Sequence, residues 1–263
     1  LEYILVNFVE KTEMKKILLL SLLFVLCSYA QSQVSIKDSS VFSTMLHATY
    51  AYQIPGGDMA KRFGNNSAVG GGFQLKTKKN WLFGAECNYL FGEKVKDEMN
   101  IVSRISTSDG FLITADGEYA DVFFSEQGFI IGLKAGKIIP VLNPNPNSGI
   151  LLTVQPGFIQ HKIKITNPSN TVPALRGDYK KGYDEMTNGV ALTEFIGYWY
   201  MGNRRLVSFY AGFEFTQAFT KCRRAYNFNT MSRDTEQKYD FFYSLRIGWL
   251  IPLYKRAPAG YYY

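Results

Sequence analysis

The segment that most constrains this chain is its last hydrophobic stretch, Tyr239 to Leu253. Every second residue from Phe241 through Tyr243, Leu245, Ile247, Trp249 and Ile251 to Leu253 is apolar, while the other register carries Ser244, Arg246 and Gly248. That is the period of a strand and not of a helix. A strand so long, apolar on one face and holding an arginine on the other, suits a wall with hydrocarbon outside and a polar interior inside.

The same alternation recurs seven times upstream. Strands are expected over 41–52, 68–76, 81–91, 127–139, from Ile150 to about His161, 189–201 and 206–219, with the final one at 239–253. The connections alternate between short turns (77–80, the proline-containing 140–149 and 202–205) and long polar segments (53–67, 92–126, about 167–188 and 220–238). Eight strands with this rhythm predict an all-β, eight-stranded antiparallel up-and-down transmembrane β-barrel. Its short turns and both termini lie on the periplasmic side and its long loops on the extracellular side. Closure removes the sheet edges that such apolar strands would otherwise expose. Pro156 inside the fifth strand is expected to mark a bulge.

The one long apolar run, Ile17 to Cys27, is shorter than the ~20 residues a membrane-spanning helix needs. Met14, Lys15 and Lys16 precede it and Ser28, Tyr29 and Ala30 follow it, which reads as a cleaved signal peptide over 14–30. Residues 1–13 read as upstream sequence, 31–40 as a periplasmic segment, 41–253 as the barrel and 254–263 as a C-terminal tail. Leu26 before Cys27 does not fit a lipoprotein site. The leader holds three basic residues (Lys11, Lys15, Lys16) and three acidic ones (Glu2, Glu10, Glu13), so the remaining chain keeps the formal charge of +7. For an exported basic barrel, anionic lipopolysaccharide is the nearest partner, and no nucleic-acid role is expected. Cys87 and Cys222 fall on separate strands, so no disulfide is expected between them.

The signal peptide, the eight alternating strands and the aromatic last strand resemble the small outer-membrane barrels of the OmpX and OmpA-transmembrane type, over about 41–253. The resemblance implies a protein of the cell outer membrane whose final strand ends in an aromatic read by the insertion machinery. The tail from Lys255 to Tyr263 departs from that pattern.

A barrel of eight strands is just wide enough for its side chains to fill. The expected inward register places Glu86, Glu194, Glu214, Lys134, Arg246 and His47 in the lumen, with His161, Asn88, Gln74 and Gln155. Charges withdrawn from water need partners, so these predict a paired polar network. Such a lumen serves either as a plug or as a narrow channel for ions or small solutes. Catalysis would require His161 near the rim to reach a nucleophile or Asp178, and no catalytic residue is assigned. The Cys and His residues lack the spacing of a metal site, and no cofactor is expected.

In the loops, Arg176, Lys180, Lys181, Lys221, Arg223 and Arg224 stand among Tyr179, Tyr183, Tyr226 and Phe228. They are candidates for contact with outer-membrane lipid, lipopolysaccharide or a partner. The loop 92–126 carries Phe111, Leu112 and Ile113, apolar residues that need cover, and is the candidate for protein contact. The reading is a non-enzymatic structural or interaction protein acting through its loops, a candidate subunit of a larger surface or secretion assembly, with the channel as the alternative.

Overall fold

In the computed structural model the described residues are 39–96, 98–142, 144–168, 170–202 and 207–253. The expected leader and C-terminal tail lie outside them. Eight strands follow in chain order: β1 (Ser43–Gly57), β2 (Asn66–Lys76), β3 (Trp81–Gly92), β4 (Phe123–Ile139), β5 (Gly149–Thr166), β6 (Thr187–Met201), β7 (Ser208–Cys222) and β8 (Gln237–Leu253). Each pairs antiparallel with the next, and β8 closes on β1. The row of partners starting at Thr44 runs through Leu75, Phe83, Ala135, Val154, Glu194, Phe215 and Tyr243. It returns to β1 at Ile54, ten residues further along. That stagger tilts the strands by about 40° and leaves a bore that side chains fill.

The outward registers form an apolar wall. Leu46, Val69, Phe83, Ile131, Val154, Ile196, Phe213 and Leu245 are all exposed. Aromatic residues, including Trp81, Phe209 and Trp249 towards the short-turn end and Tyr52, Phe91, Phe158 and Tyr239 towards the loop end, flank the belt. This is the profile of a barrel crossing a hydrocarbon layer ~25 Å thick. Among the described residues no helix is long and apolar enough to cross a membrane.

Three expectations are corrected. Pro156 makes no bulge: the β4–β5 register is the same on both sides of it, and the ladder is interrupted opposite Leu133 and Lys134. A missing backbone donor is thus absorbed as a local gap rather than by an inserted residue. The strands also run further at the loop end than the alternation indicates, with β1 continuing through Pro55 to Gly57 and β4 starting at Phe123. Pro55 lies beyond the last β1–β2 pair, where β1 has only β8 beside it, as a proline in a strand requires.

The third correction concerns β6, whose register is inverted. Thr193, Phe195 and Trp199 face the lumen and are buried, while Glu194, with Ile196, is exposed on the outer wall. Glu194 is therefore not a lumen residue. Phe195 and Trp199 turn inward because their rings pack against Tyr210, at 5.4 Å edge-on and 5.9 Å stacked respectively.

At the loop end, helix α1 (Met59–Arg62), the turn of helix α2 (Glu98–Ile101) and two 3₁₀ segments (Pro173–Leu175 and Gly177–Gly182) fold over the mouth. Their buried residues, among them Met59, Phe63, Ile101, Leu112, Leu175 and Tyr183, join the upper lumen residues Leu90, Ile159 and Phe242 in one apolar cluster. The loops are thus a packed cap continuous with the barrel interior. Cys87 and Cys222 are both free thiols.

Candidate functional site

The inward residues are layered. Reading up β1 they are Met45, His47, Thr49, Ala51 and Gln53, and down β8 they are Asp240, Phe242, Ser244, Arg246, Gly248 and Leu250. The lowest layer is apolar: Met45, Leu82, Ile138, Leu151, Trp199, Met201 and Leu250 pack together.

Above it lies the charged layer. Glu86 on β3 accepts from His47 Nε2 at 3.0 Å, from Asn88 Nδ2 at 2.7 Å, and from Lys134 Nζ and Arg246 Nη1. Arg246 Nη2 donates to Glu214 Oε1 at 2.9 Å. Two carboxylates thus face two fixed cations, all buried. Of the residues expected to form this network, the structure brings together Glu86, Lys134, Glu214, Arg246 and His47, and excludes Glu194. The Lys134 ammonium also stands 5.7 Å from the centre of the Tyr210 ring. That ring lies across the bore only because Gly248 is beneath it, where a Cβ would come within 2.3 Å of Tyr210 Cε1.

At the floor Lys76, which the sequence reading left out, donates to Asn147 Oδ1 at 2.8 Å, Ser40 Oγ at 3.1 Å and the Val41 carbonyl at 3.2 Å. It ties the β4–β5 connection to the start of β1.

Over the upper apolar lumen residues Leu90, Ile159 and Phe242 sits another polar cluster. His161 Nε2 donates to Asp240 Oδ2 at 3.0 Å, and Thr220 Oγ1 donates to the same oxygen at 2.5 Å. Thr187 Oγ1 lies 3.0 Å from His161 Nε2 and 3.2 Å from Nδ1. Arg62, lowered into the mouth by α1, brings Nη2 to 3.5 Å from His161 Nδ1 and 3.4 Å from Thr187 Oγ1. Asn66 donates to Glu126 at 2.7 Å.

Asp240 and Glu126 share the inward parity of Arg246 and Lys134, so extending each register upward finds them. Arg62 carries no such signal, because it reaches the lumen from a loop. His161 faces Asp240 and not Asp178, which instead pairs with Lys181 at 2.7 Å. A nucleophile relay needs the carboxylate on one ring nitrogen and the hydroxyl on the other. Here Asp240 takes Nε2, Thr187 Oγ1 lies within reach of both ring nitrogens, the Arg62 guanidinium stands at Nδ1, and the imidazole is fully buried. Together these side chains clamp α1 to β5, β6, β7 and β8 at the mouth.

The cap bears the other candidates. Arg224 Nε donates to Asp184 at 2.6 Å, and this hydrogen bond holds the guanidinium pKa above its usual value. Arg176 Nε donates to the Asn170 carbonyl at 2.7 Å, and Arg223 Nε donates to Asn188 Oδ1 at 2.5 Å. The hydrogen bond from Lys181 holds Asp178 below the ordinary carboxylate range. Lys221 is exposed at the end of β7, and Lys180 lies in the second 3₁₀ segment.

In the loop 92–126, Leu112 is buried in the cap core while its neighbours turn outward. Met99 is 58%, Phe111 52%, Ile113 43% and Tyr119 72% exposed, with the Phe111 and Tyr119 rings 4.8 Å apart. The bridges Ser106↔Leu112 and Ile113↔Tyr119 hold this tip as a small folded unit.

No protein-family model matches the chain, and no curated protein matches its sequence. Among solved structures it is similar to Neisserial surface protein A, at 10% identity over 80% of this chain and 98% of that one, with a TM-score of 0.41. Ail, the attachment invasion locus protein of Yersinia pestis, matches at 9% identity over 81% and 99%, TM-score 0.41. OprG from Pseudomonas aeruginosa matches at 10% identity over 83% and 99%, TM-score 0.37. The closed ring of eight strands is the architecture of the small outer-membrane barrels.

Proposed function

We propose that this chain is a non-enzymatic outer-membrane β-barrel, exported through a cleaved signal peptide, that acts as an interaction protein through its extracellular cap as a subunit of a larger surface assembly. The observation that carries this reading is the exposed apolar tip of Met99, Phe111, Ile113 and Tyr119 on a loop whose own core is already packed. Apolar residues in excess of what the loop needs for folding, set between two backbone bridges and turned to solvent, are the makings of a contact surface. The lumen supports the same reading. The charges of its central layer, Glu86, Lys134, Glu214 and Arg246, are mutually paired between apolar residues below and above, which suits a plug and weighs against the channel alternative.

The cationic residues have a matching place. Lys162, Lys164, Lys221 and Arg223 project outward at the loop ends of β5 and β7, where the phosphates of lipopolysaccharide lie. Arg176, Lys180, Lys181 and Arg224 stand higher, on the cap. The test is affinity purification of the crosslinked protein from its native outer membrane, comparing the unaltered chain with the double variant Phe111→Ser/Tyr119→Ser. A stoichiometric partner that the variant loses supports the reading. A partner retained by the variant, or a barrel that comes out alone, overturns it.

A further inference from the structure

Glu194 stands at the midpoint of β6, seven residues from Thr187 and seven from Met201. Its side chain faces outward, where its cross-strand neighbours are Val154 and Phe215 and its neighbours along the strand are Leu192 and Ile196. With Ala135, Lys137, Val154, Ile196 and Phe213 it lines a shallow groove across the outer wall, in which the Lys137 ammonium stands over the Trp81 ring, 5.0 Å from its centre, and makes no ion pair with Glu194. Among the described residues no hydrogen bond or ion pair reaches its carboxyl group. In either protonation state that group carries hydrogen-bonding atoms that acyl chains cannot satisfy, and it sits at the depth where nothing but acyl chains is available. A leucine here would serve a purely lipid-facing wall better.

We infer that the β4–β8 wall centred on Glu194 is an intramembrane interface, and that its occupant is a different outer-membrane protein presenting a lysine or arginine side chain at mid-bilayer depth. The inference rests on the membrane-spanning reading of the barrel but concerns its wall and not its cap.

Two other occupants fit less well. A second copy would meet this wall about a two-fold axis parallel to the membrane normal, with equal depths opposed. Glu194 would then face Glu194, and the outward cations Lys162, Lys164 and Lys221 at the top of the wall would face their own copies. A glycolipid would satisfy those cations through its phosphates, yet would lay acyl chains against the carboxyl group. Only a cationic partner offers Glu194 the charge-assisted hydrogen bond that a low-dielectric setting strengthens.

The experiment places benzoyl-phenylalanine at Phe213, on the groove, in cells carrying the full chain, and maps the photoproduct by mass spectrometry. A second probe at Tyr119 reports the cap. The expected product is one heterologous protein, joined within a transmembrane segment that bears an outward Lys or Arg. Glu194→Leu should lower its yield about tenfold or more, the cost of losing one buried charge-assisted contact. The Tyr119 products stay unchanged. Because Glu194→Leu suits a lipid-facing position, the purified variant should resist urea at least as well as the parent, so loss of the product cannot be laid to misfolding. A product that is a second copy, a lipid alone, a segment without a cation, or one insensitive to Glu194→Leu overturns the inference. Loss of Tyr119 products in the parent would instead overturn the cap reading and leave this one standing.

Discussion

The charged layer makes a sharp energetic prediction through Glu86→Ala. Glu86 accepts from His47, Asn88, Lys134 and Arg246. After its removal Arg246 retains Glu214, but Lys134 stays buried without its ion-pair partner, its ammonium 5.7 Å from the centre of the Tyr210 ring. Removing one partner of a buried ion pair costs about 3–5 kcal/mol, chiefly because the other charge stays uncompensated. With a urea dependence of roughly 2 kcal/mol per molar, the unfolding midpoint of the barrel in lipid vesicles should fall by about 1.5–2.5 M. The double variant Glu86→Leu/Lys134→Met removes both charges and should regain more than half of the loss, since apolar replacement of a whole buried pair is near neutral. A single-variant cost under about 1 kcal/mol, or a Lys134→Met change that adds to the loss, would refute the reasoning.

Gly248→Val drives a side chain into the Tyr210 ring and should cost about 1–3 kcal/mol by overpacking, read as the same midpoint. An unchanged midpoint would show that the ring does not need that space. At the rim, Asp58 accepts from Lys61 and from the Tyr239 amide at 2.8 Å each, and these bonds hold its pKa below the ordinary 3.8. A carboxyl group with a lowered folded-state pKa contributes stability above its unfolded value and loses it as pH falls through the lowered one. The protection of the Tyr239 amide, its exchange relative to the intrinsic rate at the same pH, should therefore fall as pH drops below about 3.8, whereas in Asp58→Asn that acid step should disappear.

The fold was legible because a wall between hydrocarbon and a polar lumen imposes period two, and β3, β7 and β8 show it cleanly. It failed in β6, where both registers are apolar. Alternation draws Glu194 inward as the one charge of β6, although Phe195 and Trp199 pack beside Tyr210. It also failed above the membrane, where strands keep pairing with polar residues such as Gln127, Lys162 and Lys164 on their outer face. There the alternation ends before the ladder does. The charged layer was readable from parity alone. The clamp of Arg62, His161 and Asp240 was not, because one member arrives from a loop that local pattern cannot place.

Single-channel recording of the purified barrel in a planar bilayer tests most directly the claim that the lumen is a plug and the outside does the work. The account predicts no unitary conductance, both in the parent and after removal of the cap's apolar tip. A steady unitary current whose size changes on Arg246→Gln would contradict it and make the lumen the functional path.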